Sequence, residues 1–161
     1  MSDFVLPPLQ LFLPDPVATE RLGAWFAPRL RAGDCLLLEG PIGAGKSLFA
    51  RSLIQTRLGS AEDVPSPSFT LVQTYEADID IWHADLYRLS HPDEVFELGL
   101  ETAFDTAICL IEWPDRLGRF IPSGALRLVF AAKGEGRSVT VDLGKRDDLA
   151  GELRADWGTH V

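Results

Sequence analysis

The chain of 161 residues is long enough for one folded domain, and its 46% hydrophobic and 24% charged residues are ordinary for a globular protein. A formal net charge of −9 argues against a protein that holds nucleic acid on its own basic surface. No apolar run reaches the roughly 20 residues of a membrane-spanning helix, and the first residues do not resemble a signal peptide. We therefore expect a cytoplasmic protein with one domain, residues 1–161, and no membrane segment.

Strands and helices are predicted to alternate along the chain. Short apolar runs bounded by turn residues predict strands, and runs with helical periodicity predict helices. In chain order the prediction is strand 9–13, helix 17–30, strand 35–39, helix 48–58, antiparallel strands 71–76 and 79–84, short helices 92–98 and 101–104, strand 107–111, a hairpin of 126–132 with 138–143, and a helix near 147–156. This order is typical of an α/β fold in which helices cover both faces of a mixed sheet.

A glycine-rich motif lies between the strand predicted at 35–39 and the helix after it. Residues 40–47 read Gly-Pro-Ile-Gly-Ala-Gly-Lys-Ser, which matches the phosphate loop G-x-x-x-x-G-K-[ST]. The glycines let backbone N–H groups turn toward a phosphate, Lys46 adds a positive charge, and the Ser47 hydroxyl can bind Mg²⁺. Strand, loop and helix in this order is the context that the motif requires. The sequence thus predicts nucleoside triphosphate binding in a three-layer, P-loop NTPase-like fold.

Two carboxylates are placed to complete such a site. A phosphate loop needs acids that hold magnesium and orient the attacking water. Glu112 directly follows the apolar run 107–111, and Asp85 follows the half-apolar run 79–84. Because α/β sheets bind ligands at the carboxyl ends of their strands, both acids are candidates for this chemistry.

The histidine and cysteine residues favour structural roles. His83 lies two residues before Asp85, and no neighbouring spacing resembles a metal triad, so we expect a hydrogen-bonded structural histidine. Cys35 and Cys109 both fall inside apolar runs, which predicts buried free thiols.

Several motifs together resemble the TsaE family, the bacterial ATPases of tRNA threonylcarbamoyladenosine synthesis. The phosphate loop is shared by many enzymes, but the other segments are narrower and occur in the same order over nearly the whole chain. They are Ser66-Pro-Ser-Phe-Thr70-Leu-Val, His83-Ala-Asp85-Leu-Tyr87-Arg88-Leu, Glu97-Leu-Gly-Leu and Ile108-Cys-Leu-Ile-Glu112-Trp113-Pro114. The resemblance implies a mostly parallel mixed sheet flanked by helices.

The resemblance also implies roles for single residues. Ser47 and Glu112 would hold Mg²⁺, and Asp85 would act near the γ-phosphate as a Walker-B-like or water-orienting acid. Lys46 and Thr70 complete the expected catalytic set, with Thr70 in a switch segment that senses the γ-phosphate. The expected nucleotide-binding residues are Pro16 in the corner beside the adenine, Pro41, Ile42, Gly43, Ala44, Gly45, Lys46, Ser47, Leu48, Trp113, and Arg137 on the hairpin turn.

By the same resemblance, the chain would be an accessory factor that hydrolyses MgATP, slowly when alone. Transfer of the threonylcarbamoyl group to adenosine 37 of tRNA would belong to a heterodimer of TsaD and TsaB, on which this chain docks. Contact with tRNA would then be indirect, through that complex. The alternatives are a small-molecule kinase, although no acceptor pocket or arginine-rich lid is visible, and a nucleotide-gated binding module without catalysis.

Overall fold

The computed structural model describes residues 8–41, 43–65, 67 and 71–157. In this part of the chain, seven strands alternate with five α-helices and three 3₁₀ segments. The strands are β1 (Leu9–Leu13), β2 (Cys35–Glu39), β3 (Val72–Tyr75), β4 (Ile81–Asp85), β5 (Ile108–Glu112), β6 (Leu126–Lys133) and β7 (Gly136–Asp142). The α-helices are α1 (Pro16–Phe26), α2 (Lys46–Leu58), α3 (Glu94–Leu98), α4 (Leu100–Thr106) and α5 (Ala150–Trp157), and the 3₁₀ segments are Ala27–Arg29, Pro114–Phe120 and Gly144–Leu149.

The strands form one sheet in the order β1-β7-β6-β2-β5-β4-β3. Strands β6, β2, β5 and β4 pair in parallel at its centre. The edges are antiparallel, with β1 on β7, β7 on β6, and β3 on β4. Five strands (β1, β2, β4, β5 and β6) therefore run in one direction, and the predicted mixed, mostly parallel α/β sheet is confirmed.

A separate hydrophobic core covers each face of the sheet, because side chains alternate along a strand. On β2, Leu36 and Leu38 belong to the core that includes α1, α2 and α5. Cys35 and Leu37 belong to the core that includes α3 and α4. Both faces of β2 are buried, which explains its continuous apolar sequence and the predicted three layers.

The first helix starts at the predicted corner and ends earlier than the sequence suggested. Asp15 caps α1, since its carboxylate accepts a hydrogen bond from the Ala18 N–H at 2.9 Å. The helix stops at Phe26, and Ala27–Arg29 forms a 3₁₀ turn. Pro28 has no N–H to donate to the Ala24 carbonyl, so α-helical hydrogen bonding cannot continue and the predicted end at residue 30 was wrong.

The C-terminal helix predicted at 147–156 consists of two pieces, a 3₁₀ segment and then α5. Arg146 interrupts the first piece with φ −98° and ψ 36°. Its buried guanidinium donates to Asp34 at 2.5 Å and to the Arg29 carbonyl at 3.0 Å. The helical periodicity of the sequence carries no sign of this ion pair, which joins residues far apart in the chain.

Strands β4 and β5 end one residue later than the sequence predicted. Asp85 and Glu112 are the last residues of β4 and β5, and they lie directly opposite each other in the parallel ladder. Both strands present their carboxyl ends at the same edge of the sheet.

Every helix among the described residues is too short or too polar to span a membrane.

Candidate nucleotide-binding site

A cleft of about 630 Å³ opens where the phosphate loop meets the carboxyl ends of β4 and β5. Its other walls are the corner between β1 and α1 and the turn between β6 and β7. The predicted site residues that line it are Pro16, Gly43, Gly45, Lys46, Ser47, Leu48, Asp85, Glu112, Trp113 and Arg137. Residues from five separate stretches of the sequence thus meet around one cavity.

The phosphate loop depends on glycine at both of its ends. Gly40 has φ +133°, and a Cβ there would lie 2.4 Å from the Phe130 carbonyl oxygen of β6. Gly45 has φ +108° and precedes the first residue of α2. Both backbone conformations are rarely available to other residues, so the loop requires glycine at these positions. The predicted start of this helix, residue 48, was two residues late because Lys46 and Ser47 form its first turn.

Lys46 is buried on the inner side of the loop, with 5% of its surface exposed. Its Nζ donates a hydrogen bond to the Gly40 carbonyl at 2.6 Å and lies 4.1 Å from the centre of the Trp113 ring. Burial lowers the pKa of Lys46, while the carboxylates of Glu112 and Asp85 oppose that shift. The Lys46 ammonium group therefore lies beside the two carboxylates, in the position where it would interact with a bound phosphate.

Asp85 and Glu112 are buried carboxylates with different surroundings. The Asp85 Oδ1 accepts a hydrogen bond from the Tyr87 N–H at 3.1 Å. The Glu112 Oε2 lies 2.7 Å from His83 Nε2, and both side chains are almost fully buried. His83 is thus hydrogen-bonded within the sheet, as the sequence predicted.

The oxygen atoms in the cleft fit Mg²⁺ bound together with a nucleotide. The Ser47 hydroxyl and the carboxylates of Asp85 and Glu112 line the same cavity. In the described ranges, no group of three or more His, Cys, Asp or Glu residues is arranged to hold a metal ion. Mg²⁺ usually takes one or two carboxylates together with substrate phosphates and water, and this donor set matches that habit.

The opposite wall of the cleft carries Pro16 and Arg137. Pro16 is the first residue of α1. The turn between β6 and β7 is only Gly134-Glu135, so Arg137 lies in β7 and not in the turn, contrary to the sequence prediction. Its Nη2 donates to the Gly43 carbonyl at 3.0 Å, which ties the hairpin to the phosphate loop.

Trp113 has an unusual backbone conformation, with φ +59° and ψ 54°. For a bulky residue this left-handed region is strained, and such strain often marks a functional position. Its ring contacts both Lys46 and Tyr87, and the ring centres of Trp113 and Tyr87 are 5.0 Å apart.

The remaining predicted residues are placed elsewhere or are not described. Pro41 is exposed and borders a smaller cavity of about 190 Å³ on the other side of Trp113. Ala44 is buried, and its N–H donates to the Pro41 carbonyl at 3.1 Å. Ile42 and Thr70, with most of the Ser66–Thr70 segment, lie outside the described residues.

Sequence reasoning missed several side chains that line the cleft. Arg51 lies one helical turn after Ser47, so the spacing i, i+4 could have indicated it. Tyr87 and Arg88 stand in the motif around Asp85 but received no role. Thr19 is buried on α1, and nothing in its local sequence indicates the cleft.

Fold and site together define a P-loop nucleotide-binding protein. Comparison with solved structures supports this class: the crystal structure of Bacillus subtilis YdiB matches 96% of this chain and 99% of its own, with a TM-score of 0.75 and 28% identity.

Residues 13–139 match the model of the family described as threonylcarbamoyl adenosine biosynthesis protein TsaE. A TsaE protein of a Nostoc species is 37% identical over 133 residues, which is 79% of this chain and 80% of the relative. That of Treponema pallidum is 32% identical over 125 residues, or 76% of this chain and 92% of the relative. The matches to the Rickettsia conorii and Rickettsia felis proteins span only 56% and 62% of those relatives. The chain belongs to the TsaE family.

Proposed function

We propose that this chain is a Mg²⁺-dependent ATP hydrolase and an accessory factor in forming the threonylcarbamoyl group on adenosine 37 of tRNA. One observation carries the hydrolase part. The phosphate loop, the buried Lys46 and the carboxylates of Asp85 and Glu112 line a single cleft. Family membership supports the pathway, because the matching family is described by threonylcarbamoyl adenosine biosynthesis.

Each residue has a defined task in this mechanism. Backbone N–H groups of the loop bind the phosphates, and Lys46 exchanges its contact with the Gly40 carbonyl for phosphate oxygens. Asp85 orients a water molecule and accepts its proton as the water oxygen attacks the γ-phosphorus. The bond to the ADP oxygen breaks, and ADP and phosphate leave. Ser47 and Glu112 would hold Mg²⁺, which when bound would neutralise charge on the phosphate oxygens.

We further propose that the chain works in the cytoplasm on a TsaB–TsaD heterodimer and meets tRNA only through that complex. The net charge of −9 supports indirect contact, since neutralising tRNA phosphates requires basic groups. Arg51 and Arg88 line the cleft, but neither comes from a motif that fixes a side chain on the transferred phosphate. Slow hydrolysis in the absence of the partners is the expected consequence.

The test combines three variants with two assays. Lys46→Ala should weaken ATP binding about 100-fold through the loss of charged phosphate contacts. Asp85→Ala should lower kcat about 100-fold or more while ATP still binds. Glu112→Ala should raise the Mg²⁺ requirement. Phosphate release measures hydrolysis, and modified adenosine formed with the purified partner pair measures the pathway step.

Glu101→Ala is the matched control, because Glu101 is an exposed acid of α4 that does not line the cleft. Fast turnover that the partner pair leaves unchanged would contradict the accessory role. Transfer of phosphate to a metabolite in preference to water would indicate a kinase. Full tRNA modification by Asp85→Ala, together with its loss in Lys46→Ala, would indicate a binding module without catalysis.

A further inference from the structure

His83 is buried beside the proposed metal ligand, with 1% of its surface exposed. It lies on β4 two residues before Asp85, so both side chains point to the same face of the sheet. Glu112 pairs with Asp85 in the ladder and shares that face. The His83 Nε2 and the Glu112 Oε2 are 2.7 Å apart, in a pair whose side chains are 2% and 4% exposed.

The other ring nitrogen defines the direction of this hydrogen bond. His83 Nδ1 is buried and has no hydrogen-bond partner in the described residues. Because a carboxylate accepts hydrogen bonds and does not donate them, the proton lies on Nε2. A second proton on Nδ1 would be a buried donor without an acceptor, which is costly. The ring thus donates its Nε2–H to Glu112.

This hydrogen bond restricts a side chain that would otherwise rotate. A glutamate at the end of a strand has three side-chain torsions, and its carboxylate can turn away from the cleft. The bond to His83 occupies one carboxylate oxygen and leaves Oε1 outside this contact. Hydrogen bonds of this kind, from groups behind metal ligands, typically change metal affinity 10–100-fold when they are removed.

We propose that His83 is a positioning residue, whose Nε2–H holds the Glu112 carboxylate in the orientation that binds Mg²⁺ of the nucleotide complex. The inference rests on the proposed role of Glu112 as a metal ligand. A histidine that only fills space in the core would affect stability and would leave the Mg²⁺ requirement unchanged.

The experiment measures binding and does not depend on turnover. A fluorescent ATP analogue is titrated onto the protein in EDTA and at increasing Mg²⁺, which gives a metal-free affinity and a half-saturating Mg²⁺ concentration. His83→Leu keeps the volume and removes the donor, so the half-saturating Mg²⁺ should rise about 10–100-fold with the metal-free affinity unchanged. His83→Gln can place an amide N–H near the position of Nε2 and should remain within about threefold of the parent protein.

Two further variants cover the case of a misfolded protein and provide a control. If His83→Leu does not fold, His83→Asn is compared with His83→Gln, because the shorter asparagine amide cannot reach Glu112 and should show the same rise. Tyr75→Phe is the matched control, since Tyr75 is buried on β3 and its hydroxyl has no partner in the described residues.

The outcomes separate this inference from the proposed function. A normal Mg²⁺ requirement in both His83→Leu and His83→Asn, with Glu112→Ala impaired, would overturn the positioning role alone. An equal loss of metal-free and Mg²⁺-dependent binding would assign His83 a structural role. A normal Mg²⁺ requirement in Glu112→Ala would instead overturn the metal site on which the inference rests.

Discussion

Lys46 and Trp113 are in direct contact in the structure. The Lys46 amine lies 4.1 Å from the centre of the Trp113 ring and donates a hydrogen bond to the Gly40 carbonyl at 2.6 Å. A bound phosphate has to replace these contacts, which compensate the cost of burying the cation. Trp113 has φ +59°, and such a strained conformation persists only where surrounding contacts hold it. The residue after Glu112 is therefore linked to the phosphate loop through the lysine.

Cys35 and Cys109 predict an alkaline loss of stability. Burial raises the pKa of Cys35 well above its usual value and the pKa of Cys109 to about 12. Below about pH 8.5 both the folded and unfolded states carry the thiol proton, and the stabilising contribution is complete. Above that pH the unfolded state releases protons that the folded state retains. The free energy of unfolding should therefore fall by about 1.4 kcal/mol per pH unit for each thiol.

Urea unfolding between pH 8 and pH 10.5 measures this slope. Cys109→Ala should start less stable at pH 8, because it leaves a small cavity, but its stability should decline less steeply. Parallel curves for the parent protein and the variant would show that Cys109 does not cause the decline.

The candidate site is predictable from sequence only where a local signal exists. The phosphate loop is recognised by the spacing of its glycine, lysine and serine residues. Asp85 and Glu112 follow apolar strands whose carboxyl ends meet at one edge of the sheet. Thr19 and the contact from Arg137 to Gly43 have no such signal, because they depend on how distant elements pack. The His83–Glu112 hydrogen bond likewise joins residues 29 positions apart.

At the level of elements, α1 and α2 approach so closely that one position tolerates no side chain. A Cβ on Gly23 of α1 would lie 2.6 Å from the Phe49 carbonyl oxygen of α2. Alanine is a better helix former than glycine by about 1 kcal/mol, so propensity alone predicts that Gly23→Ala stabilises the protein. The contact predicts the opposite, a loss of about 1 kcal/mol or more through overpacking.

Gly151→Ala in α5 is the matched control, because no described atom beyond the adjoining backbone of its own helix lies within 4 Å of the added Cβ. It should raise the free energy of unfolding by about 0.5 kcal/mol. Thermal and urea unfolding of both variants compare the two effects. A stabilised Gly23→Ala protein would show that the two helices separate at little cost.

The order and type of the elements were predictable, and their ends were less so. Apolar runs identified β2 and β5, because a central strand buried on both faces is continuously hydrophobic. The ends of α1 and α5 depended on Pro28 and on the buried Arg146–Asp34 pair. The Asp85 N–H donates to the Leu71 carbonyl at 2.8 Å, so the start of β3 is joined to the carboxyl end of β4. That link arises from pairing of the strands, which local sequence does not encode.

At the level of the whole molecule, charge is distributed unevenly between the cleft and the rest of the chain. The cleft is lined by four basic residues (Lys46, Arg51, Arg88 and Arg137) and four acidic ones (Asp15, Asp85, Glu112 and Glu135), so positive and negative charges balance there. The chain as a whole carries a net charge of −9. A small polyanion can therefore bind inside the cleft while a large one is repelled by the surrounding surface.

This distribution predicts that the isolated protein does not retain tRNA. Non-specific binding to nucleic acid derives from counterion release by basic side chains and typically gives a Kd of about 10⁻⁴ to 10⁻⁶ M at physiological salt. A chain of net charge −9 should bind more weakly than about 10⁻⁴ M. Filter binding of labelled tRNA at 50 and 150 mM salt, with MgATP present and absent, measures this affinity.

Addition of the TsaB–TsaD pair should give retention that falls with salt, because its basic groups would supply the phosphate contacts. Micromolar retention by the isolated chain, weakened by salt, would mean that it carries a basic tRNA surface despite its net charge, and the indirect contact proposed for it would be wrong.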